Sequence, residues 1–329
     1  MKTRRILKWL ALGLLGVLLL GVGFVVVQLN RRPSLEPYAA RGLQPAAADA
    51  PVRVRFAGVA TLLFDDGETR WMTDGFFSRP ALTRVAFSRI EPDRAGIQRG
   101  LSQLAVDKLA AVVPMHSHYD HAMDSPLVAM QTGAQLIGSE STLNVGRGLG
   151  MPEDRMRKVS SGESVTLGRW RLTFLASRHV PLPNTRSVVT IDAPLVPPAH
   201  ASAWGEGQTW TLAVEHASGA RLLILGSAGF IAGSLEGRHA DTVLLGVGTL
   251  GRQSREYRAQ LWQEAVRRVG ARRVIPIHWD DFGRGLDRPL VAFPYLVDDV
   301  AATLEDLSSW AARDHVEMRM PPLFTPFSP

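Results

Sequence analysis

Three histidines and an aspartate stand within six consecutive positions, directly after a short apolar run. The segment His116-Ser117-His118-Tyr119-Asp120-His121 follows the apolar residues 110–113. In an extended segment side chains alternate between faces, so His116 and His118 point the same way. The chain then bends, because Asp124-Ser125-Pro126 predicts a helix start with proline in the first turn. The pattern predicts a cluster of ligating side chains where a buried strand ends.

The chemistry of these side chains favours a metal ion over a simple polar loop. Neutral imidazoles with a carboxylate suit borderline-soft zinc better than magnesium or calcium, which prefer oxygen ligands. Manganese or iron also fits such a set. The other reading is a polar loop that happens to contain histidines, but the chain has only 9 histidines in 329 residues. Cysteine is absent, which excludes thiolate ligands, disulfides and a cysteine nucleophile.

The amino-terminal segment predicts a membrane anchor. Trp9–Val27 contains no charged residue and would span roughly 28 Å as a helix, close to the hydrocarbon thickness of a bilayer. No small-x-small cleavage site follows it, so an uncleaved anchor is favoured over a signal peptide. We therefore expect a cytoplasmic basic tail over 1–8, a transmembrane anchor over 9–29, a linker over 30–51 and one catalytic domain over 52–329.

Charge indicates how this anchor is oriented and which partners are improbable. Four basic residues precede the apolar span and two follow it, which predicts a single-pass protein with a cytoplasmic amino terminus and its body outside the cytoplasmic membrane. Residues 1–32 supply the whole net charge of +6, and the remaining 31 basic and 31 acidic residues balance. A nucleic-acid partner is therefore not expected.

The body alternates predicted strands and helices. Residues 78–100 are expected to form an irregular loop, 102–109 a short helix, and the proline-rich stretch 181–209 a long functional loop. Strand-rich halves separated by helices predict an α/β fold with two sheets sandwiched between helical layers. Strands are expected over 52–56, 61–64, 69–73, 110–113, 134–137, 171–175, 209–215, 221–225, 241–247 and 273–277, and helices over 125–132, 140–149, 256–269 and 297–312.

Two further histidines stand just beyond predicted strands, where they can reach the cluster. His179 follows the strand at 171–175 and His278 follows the strand at 273–277. Adding them to the cluster would give two metal positions with three protein ligands each. Catalytic zinc sites keep such an open position for water, which the metal activates as a nucleophile. His200 is a weaker rival of His179, and the histidines in other predicted turns are expected to have surface or hydrogen-bonding roles.

The motif His-x-His-x-Asp-His resembles the signature of the metallo-β-lactamase superfamily, and further motifs follow in the expected order over residues 52–285. The resemblance implies a four-layer αββα sandwich and a zinc-dependent hydrolase. It implies that Asp74 orders the metal-binding loop and that Asp120 positions the nucleophile. The ligand set it implies is His116, His118 and His179 on one metal and Asp120, His121 and His278 on the other.

Two details refine the resemblance. Thr73–Phe77 and His278–Phe282 are similar to the branch of L-ascorbate-6-phosphate lactonase-like proteins. Ser227 stands where most dinuclear members have an aspartate that bridges both metals, and a serine hydroxyl is a poor zinc ligand. Without that carboxylate the set resembles the third subclass of metallo-β-lactamases. Two zinc ions are expected, although a single one is possible.

The sequence thus predicts a membrane-anchored zinc hydrolase that uses a metal-activated water. Its substrate would be a small molecule or a lipid containing an ester, lactone, amide or phosphodiester bond. The alternative is a degenerate, weakly active or non-catalytic metal-binding envelope protein, which the replacement of the bridging aspartate by Ser227 keeps open. The substrate-binding loops are the least interpretable parts of the sequence, so the substrate itself is not predicted.

Overall fold

The protein is described here by a computed structural model covering residues 2–182 and 188–329. Its strands form two large mixed sheets and one short ribbon. In chain order they are β1 (Arg53–Phe56), β2 (Leu62–Asp65), β3 (Arg70–Thr73), β4 (Arg89–Ile90), β5 (Ala111–Val113), β6 (Gln135–Gly138), β7 (Met156–Lys158), β8 (Ser164–Leu167), β9 (Trp170–Ser177), β10 (Ala199–His200), β11 (Thr209–His216), β12 (Arg221–Leu225), β13 (Thr242–Gly246), β14 (Arg273–Ile277) and β15 (Glu317–Met318).

The helices are α1 (Lys2–Asn30), α2 (Leu82–Phe87), α3 (Arg94–Gln103), α4 (Tyr119–Ala122), α5 (Ser125–Thr132), α6 (Glu140–Gly148), α7 (Arg255–Trp262) and α8 (Val300–Arg313). Helices α5 and α6 pack on the first sheet, and α8 packs against α7 and the edge of the second. The predicted αββα architecture is confirmed.

Each sheet combines antiparallel and parallel strands. The first has the order β1-β2-β3-β5-β6-β7, with antiparallel β1 to β3 followed by parallel β5 to β7. The second has the order β15-β14-β13-β12-β11-β9-β8, in which β12 to β15 are parallel. Parallel strands end at one edge of their sheet, so the loops after β3 and β5 lie together, as do those after β12 and β14.

Alternation along the strands separates the core into an inner and an outer layer. Leu62 and Phe64 belong to the large cluster between the sheets, whereas Leu63 belongs to the cluster beneath α3 and α5. Trp71 and Met72 divide in the same way. Side chains of a strand point alternately to its two faces, and both faces of the inner strands are covered, so buried residues follow one another along β2, β3 and β5.

Helix α1 stands apart from this core. The most apolar 18-residue window within Arg4–Asn30 has a mean hydropathy of 2.8, and none of that window is buried within the protein, so by length and composition the helix could cross a membrane. The chain after it lies against the domain. Glu36–Arg41 forms a 3-10 helix, and the amides of Leu43 and Ala46 donate to the carbonyls of Met320 and Pro326. The segment predicted as a linker is thus ordered along the domain surface.

Two local predictions were wrong. The stretch 78–100 contains α2, β4 and most of α3, and the helix expected over 102–109 ends at Gln103. Helix α3 begins where the Asp93 side chain accepts a hydrogen bond from the Ala95 amide. Its apolar face is short, because Ile97 and Leu101 are the only large apolar residues buried along it, and the two arginines within the helix and the three before it concealed the pattern. Within 181–209, β10 pairs with β4, and residues 183–187 lie outside the described residues.

Candidate metal centre

The first group of candidate ligands joins the two sheets. His116 and His118 follow β5 of the first sheet, and His179 follows β9 of the second. His116 Nε2 lies 3.0 Å from His118 Nδ1, and the His179 ring centroid is 4.7 Å from that of His118. One nitrogen from each ring lies within 4.8 Å of the other two, so the three could hold a metal ion.

The second group lies beside the first and is more deeply buried. His278 Nε2 is 3.2 Å from His121 Nε2 and 3.3 Å from Asp120 Oδ2. His121 Nε2 is in turn 3.5 Å from Asp120 Oδ2. A tetrahedral zinc ion with bonds of about 2.0–2.1 Å would have ligand atoms about 3.3 Å apart. The spacing of the three donor atoms therefore fits a metal ion. The rings of His116 and His121, with centroids 3.9 Å apart, connect the two groups.

Hydrogen bonds on the opposite side of two rings direct their free nitrogens into the site. His121 Nδ1 lies 2.7 Å from Asp74 Oδ2, and His179 Nδ1 lies 2.8 Å from the Val180 carbonyl oxygen. An imidazole that donates from Nδ1 presents Nε2 as an acceptor, which is the form that ligates metals. Asp74 is itself fixed, since its Oδ1 accepts from the Met115 amide at 2.8 Å. The expected role of Asp74 in ordering the loop is consistent with these contacts.

Burial keeps the first group in its ligating protonation state. Burial lowers the pKa of His116 well below its ordinary value, and repulsion by the neighbouring imidazoles adds to this. Burial likewise lowers the pKa of His118 to about 3 and lowers that of His179. Unprotonated imidazole is the form that binds a metal ion, so these rings need not lose protons at neutral pH.

The second group balances burial against opposite charge. Burial raises the pKa of Asp120, but the imidazoles of His121 and His278 outweigh it and hold that pKa below its ordinary value. Burial lowers the pKa of His121, whereas Asp74 and Asp120 raise it, and the net result is a raised pKa. A divalent ion held by these groups would supply positive charge next to the buried Asp120.

A strained backbone segment holds His278 in place. Both Val59 (φ 52°) and His278 (φ 61°) have positive φ, which is costly for residues with a Cβ and occurs mostly at functional sites. The His278 amide donates to the Val59 carbonyl at 2.7 Å, and the Val59 amide donates to Asp280 Oδ1 at 2.8 Å. Asp280 forms a fully buried ion pair with Arg79 at 2.5 Å. The pair thereby fixes the loop that carries His278.

Ser227 lies at the pocket wall and has a structural contact. It follows β12 and its Oγ accepts a hydrogen bond from the Val180 amide at 3.0 Å. Among the described residues, the two groups of three have no ligand in common. The hydrogen bond from the Val180 amide lets Ser227 position the backbone next to His179, and a site without a bridging carboxylate stays a prediction.

A cavity of about 770 Å³ opens above both groups. Polar groups form its floor, where His118, Asp120, His179 and His278 are exposed to it. Apolar side chains form most of its wall, including Val180, Val188, Val189, Trp204 and Phe282. Pockets of this size suit a drug-sized organic molecule rather than a single ion.

Several pocket and support residues carry no recognisable sequence motif. Tyr119, Arg178 and Glu206 line the cavity, and Arg79 supports it from below. Arg178 could have been predicted from the sequence, because it directly precedes the candidate ligand His179. The remaining candidate, His200, lies exposed in β10 and belongs to neither group.

Comparison with known proteins identifies the family. The model of the beta-lactamase superfamily domain matches residues 86–279, which is more than half of the chain. This chain belongs to the beta-lactamase superfamily. The predicted family is thereby confirmed, and with it the enzyme class, a metal-dependent hydrolase. A search of curated proteins finds no match to the sequence.

Solved structures confirm the fold. The metallo-beta-lactamase fold protein YhfI from Bacillus subtilis is 12% identical, with a TM-score of 0.51 over 84% of this chain and 98% of that chain. CmlA, a diiron β-hydroxylase from Streptomyces venezuelae, is 10% identical, with a TM-score of 0.51 over 86% of this chain and 54% of that chain. Proteins of this fold bind metal ions, and this chain has two candidate groups of ligands.

Proposed function

We propose that this protein is a membrane-anchored hydrolase whose two metal ions, preferably zinc, activate water against a carbonyl or phosphorus centre. The observation that carries the proposal is the pair of adjacent three-donor groups on the floor of one large cavity. Each group leaves room for a further ligand, as catalytic rather than structural sites do. His116, His118 and His179 would hold one ion, and Asp120, His121 and His278 the other.

The chain's own residues prepare this chemistry. When bound, the metal ions would supply an activated water and polarise the bond under attack. Asp120 stays ionised and faces the cavity, so it is placed to orient that water. Asp74 keeps His121 in one tautomer, and the buried pair Arg79–Asp280 keeps His278 in position. Trp204 and Phe282 add apolar surface to the cavity wall.

The pocket favours an amphipathic substrate with a negative group. Its wall is mainly apolar, and the exposed side chain of Arg178 lines it without an ion pair to any described residue. A guanidinium can bind a phosphate or carboxylate bidentately. Esters and phosphodiesters of amphipathic molecules fit these features best. Lactones remain in the proposal through the similarity of Thr73–Phe77 and His278–Phe282 to the ascorbate-6-phosphate lactonase-like branch.

Zinc is preferred for the ligand chemistry, and iron is the strongest alternative. Five of the six donor residues are histidines, which suit both metals. The similarity of fold to a diiron enzyme adds weight to iron.

We also propose that α1 spans the cytoplasmic membrane with its amino terminus inside and the catalytic body outside. An impermeant maleimide should label an Ala217→Cys variant in intact cells; labelling only after lysis would reverse this orientation.

The second candidate is a metal-binding envelope protein with weak or no activity. Ser227 favours it, because this hydroxyl is used to hold the Val180 amide and supplies no charge to offset two cations.

Hydrolysis by the full chain in detergent distinguishes the two candidates. After zinc loading, we expect turnover of an aryl phosphodiester or a long-chain lactone, which chelation abolishes and zinc restores. A matched His200→Ala variant should keep this activity. Absence of turnover with zinc, manganese and iron alike would refute the hydrolase and support the second candidate.

A further inference from the structure

The apolar surface of the domain is concentrated around the cavity mouth. Outside α1, the described residues include only five large apolar side chains that are exposed, and we call them the apolar rim. They are Phe87 (85% exposed), Val188, Val189, Val196 and Leu296. Soluble surfaces scatter such residues singly, whereas a contiguous group marks an interaction site.

Two of the five rim residues line the cavity, and two more flank the β4–β10 ribbon beside it. Val188 and Val189 line the cavity itself. Phe87 ends α2 just before β4, and Val196 precedes β10 by three residues. Because β4 and β10 pair antiparallel, with Arg89 opposite His200, Phe87 flanks one end of this ribbon and Val196 flanks the other. Ala201 and Ser202, directly after β10, line the cavity as well.

The membrane helix ends beside the same mouth. Helix α1 ends at Asn30, and the next carbonyl, that of Arg31, accepts a hydrogen bond from the Tyr295 amide at 3.0 Å. The Arg32 guanidinium binds Asp281 at 2.6 Å and the Ala292 carbonyl at 2.9 Å. Asp281 is 3% exposed and stands three residues after His278. The residues directly after the helix are therefore held against the loop that carries His278, with no flexible linker between them.

Leu296 extends the rim to the exit of the helix. It follows Tyr295, the residue that holds Arg31, and Arg252 donates to its carbonyl oxygen. Arg84 lies three residues before Phe87 on α2 and is exposed, as is Arg89 beyond it. Exposed apolar residues flanked by arginines are typical of surfaces that lie in the headgroup region of an anionic bilayer.

We propose that the apolar rim docks on the phospholipid bilayer that holds α1, so that the cavity opens towards the membrane surface and takes an amphipathic substrate from it. The inference rests on the proposed function only for the reaction, since docking itself requires no turnover. The short connection at Arg31–Arg32 fixes the mouth near the end of the span. The rim then covers its apolar side chains with lipid, and acyl chains reach the apolar wall of the cavity.

The absence of cysteine from the chain gives a direct test. Single variants Phe87→Cys and Val196→Cys of the full chain would carry an environment-sensitive fluorophore in vesicles of phosphatidylcholine and phosphatidylglycerol. The control is Ala217→Cys, an exposed position in the β11–β12 turn at the far end of the second sheet. We expect blue-shifted emission, several-fold stronger quenching by lipid-linked nitroxide and weaker quenching by iodide at 87 and 196 than at 217.

Equal quenching at all three positions would overturn the proposal. Protection from iodide without quenching by lipid would also overturn it and would indicate a second copy of the chain on the rim. Metal content and hydrolysis of a soluble substrate are measured on the same labelled proteins. If the proteins show lipid quenching but neither bound metal nor hydrolysis, the proposed function is contradicted and the docking surface is still supported.

Kinetics provide a second readout. In the Phe87→Ser/Val196→Ser variant, KM for a substrate embedded in vesicles should rise about tenfold, as expected for the loss of apolar contact with lipid. The kcat and KM for a short-chain soluble substrate should not change, because neither residue lines the cavity. An equal change for both substrates would contradict a docking role.

Discussion

The floor and the rim of the cavity differ in almost every physical respect. The floor is polar and buried, and its His121 and His179 rings are held by short hydrogen bonds to the Asp74 carboxylate and to the Val180 carbonyl oxygen. The rim is apolar and exposed, and its residues lie in α2 or in the loops that precede β10 and α8. The difference teaches that the floor can determine the reaction while the rim determines which molecules reach it. Changes to the floor should therefore alter kcat and metal binding, and changes to the entrance should alter KM.

The largest expected effect comes from the floor. His118→Ala removes one of three donors from the first group. We expect kcat to fall about a thousandfold, since several kcal/mol of metal-derived stabilisation would be lost. Circular dichroism should show an intact fold. If the variant keeps the wild-type kcat, His118 is not a metal ligand, and the proposed difference in role between floor and rim is contradicted.

The next effect tests whether the hydrogen bonds beneath the floor matter. Asp74→Asn should weaken metal affinity about 10- to 100-fold, because it disturbs the tautomer and orientation of His121. The chain supplies a matched control in a second buried pair, Asp66 and His216, whose atoms are 3.1 Å apart. Asp66→Asn should cost about 1–3 kcal/mol of stability without changing metal affinity. Equal losses of affinity in both variants would show that only global stability is at work.

A smaller effect is expected at the wall between floor and rim. Arg178→Gln should raise KM for an anionic substrate about tenfold, which corresponds to one charge-assisted hydrogen bond. It should leave kcat and metal content nearly unchanged, because Arg178 is no donor to either group. A fall in kcat with unchanged KM would instead assign Arg178 to the reacting centre.

The smallest effect concerns pH and the control pair. Burial raises the pKa of Asp66, but hydrogen bonds from the Thr69 and Glu68 amides and from His216 outweigh it, so the net pKa is lowered. The resulting stability is fully present above the unfolded carboxyl pKa of about 3.9 and is lost as pH falls through the lower folded value. The stability difference between wild type and Asp66→Asn should shrink over that acidic range. Urea unfolding at successive pH values measures it, and a difference that is constant with pH would disprove this assignment.

The same contrast explains how much the sequence could predict. The floor is predictable because its residue types are chemically specific: His116 to His121 are adjacent in sequence, and His179 and His278 follow recognisable strands. The rim is not predictable, because the location of Phe87 and Val196 depends on the pairing of β4 with β10, which the sequence does not show. Helix α3 was missed because its apolar face contains only Ile97 and Leu101. The contacts of Arg32 with Asp281 and of Arg79 with Asp280 join residues more than 200 positions apart, which periodicity does not reveal.

The central claim is that the floor holds two metal ions without a bridging carboxylate. The most direct test is the metal content of the purified full chain after zinc loading and removal of free metal, measured by mass spectrometry. The account predicts two zinc ions per chain in the wild type and one in His118→Ala, with the ion at Asp120, His121 and His278 retained. No more than one ion in the wild type, or an unchanged content in His118→Ala, would contradict it.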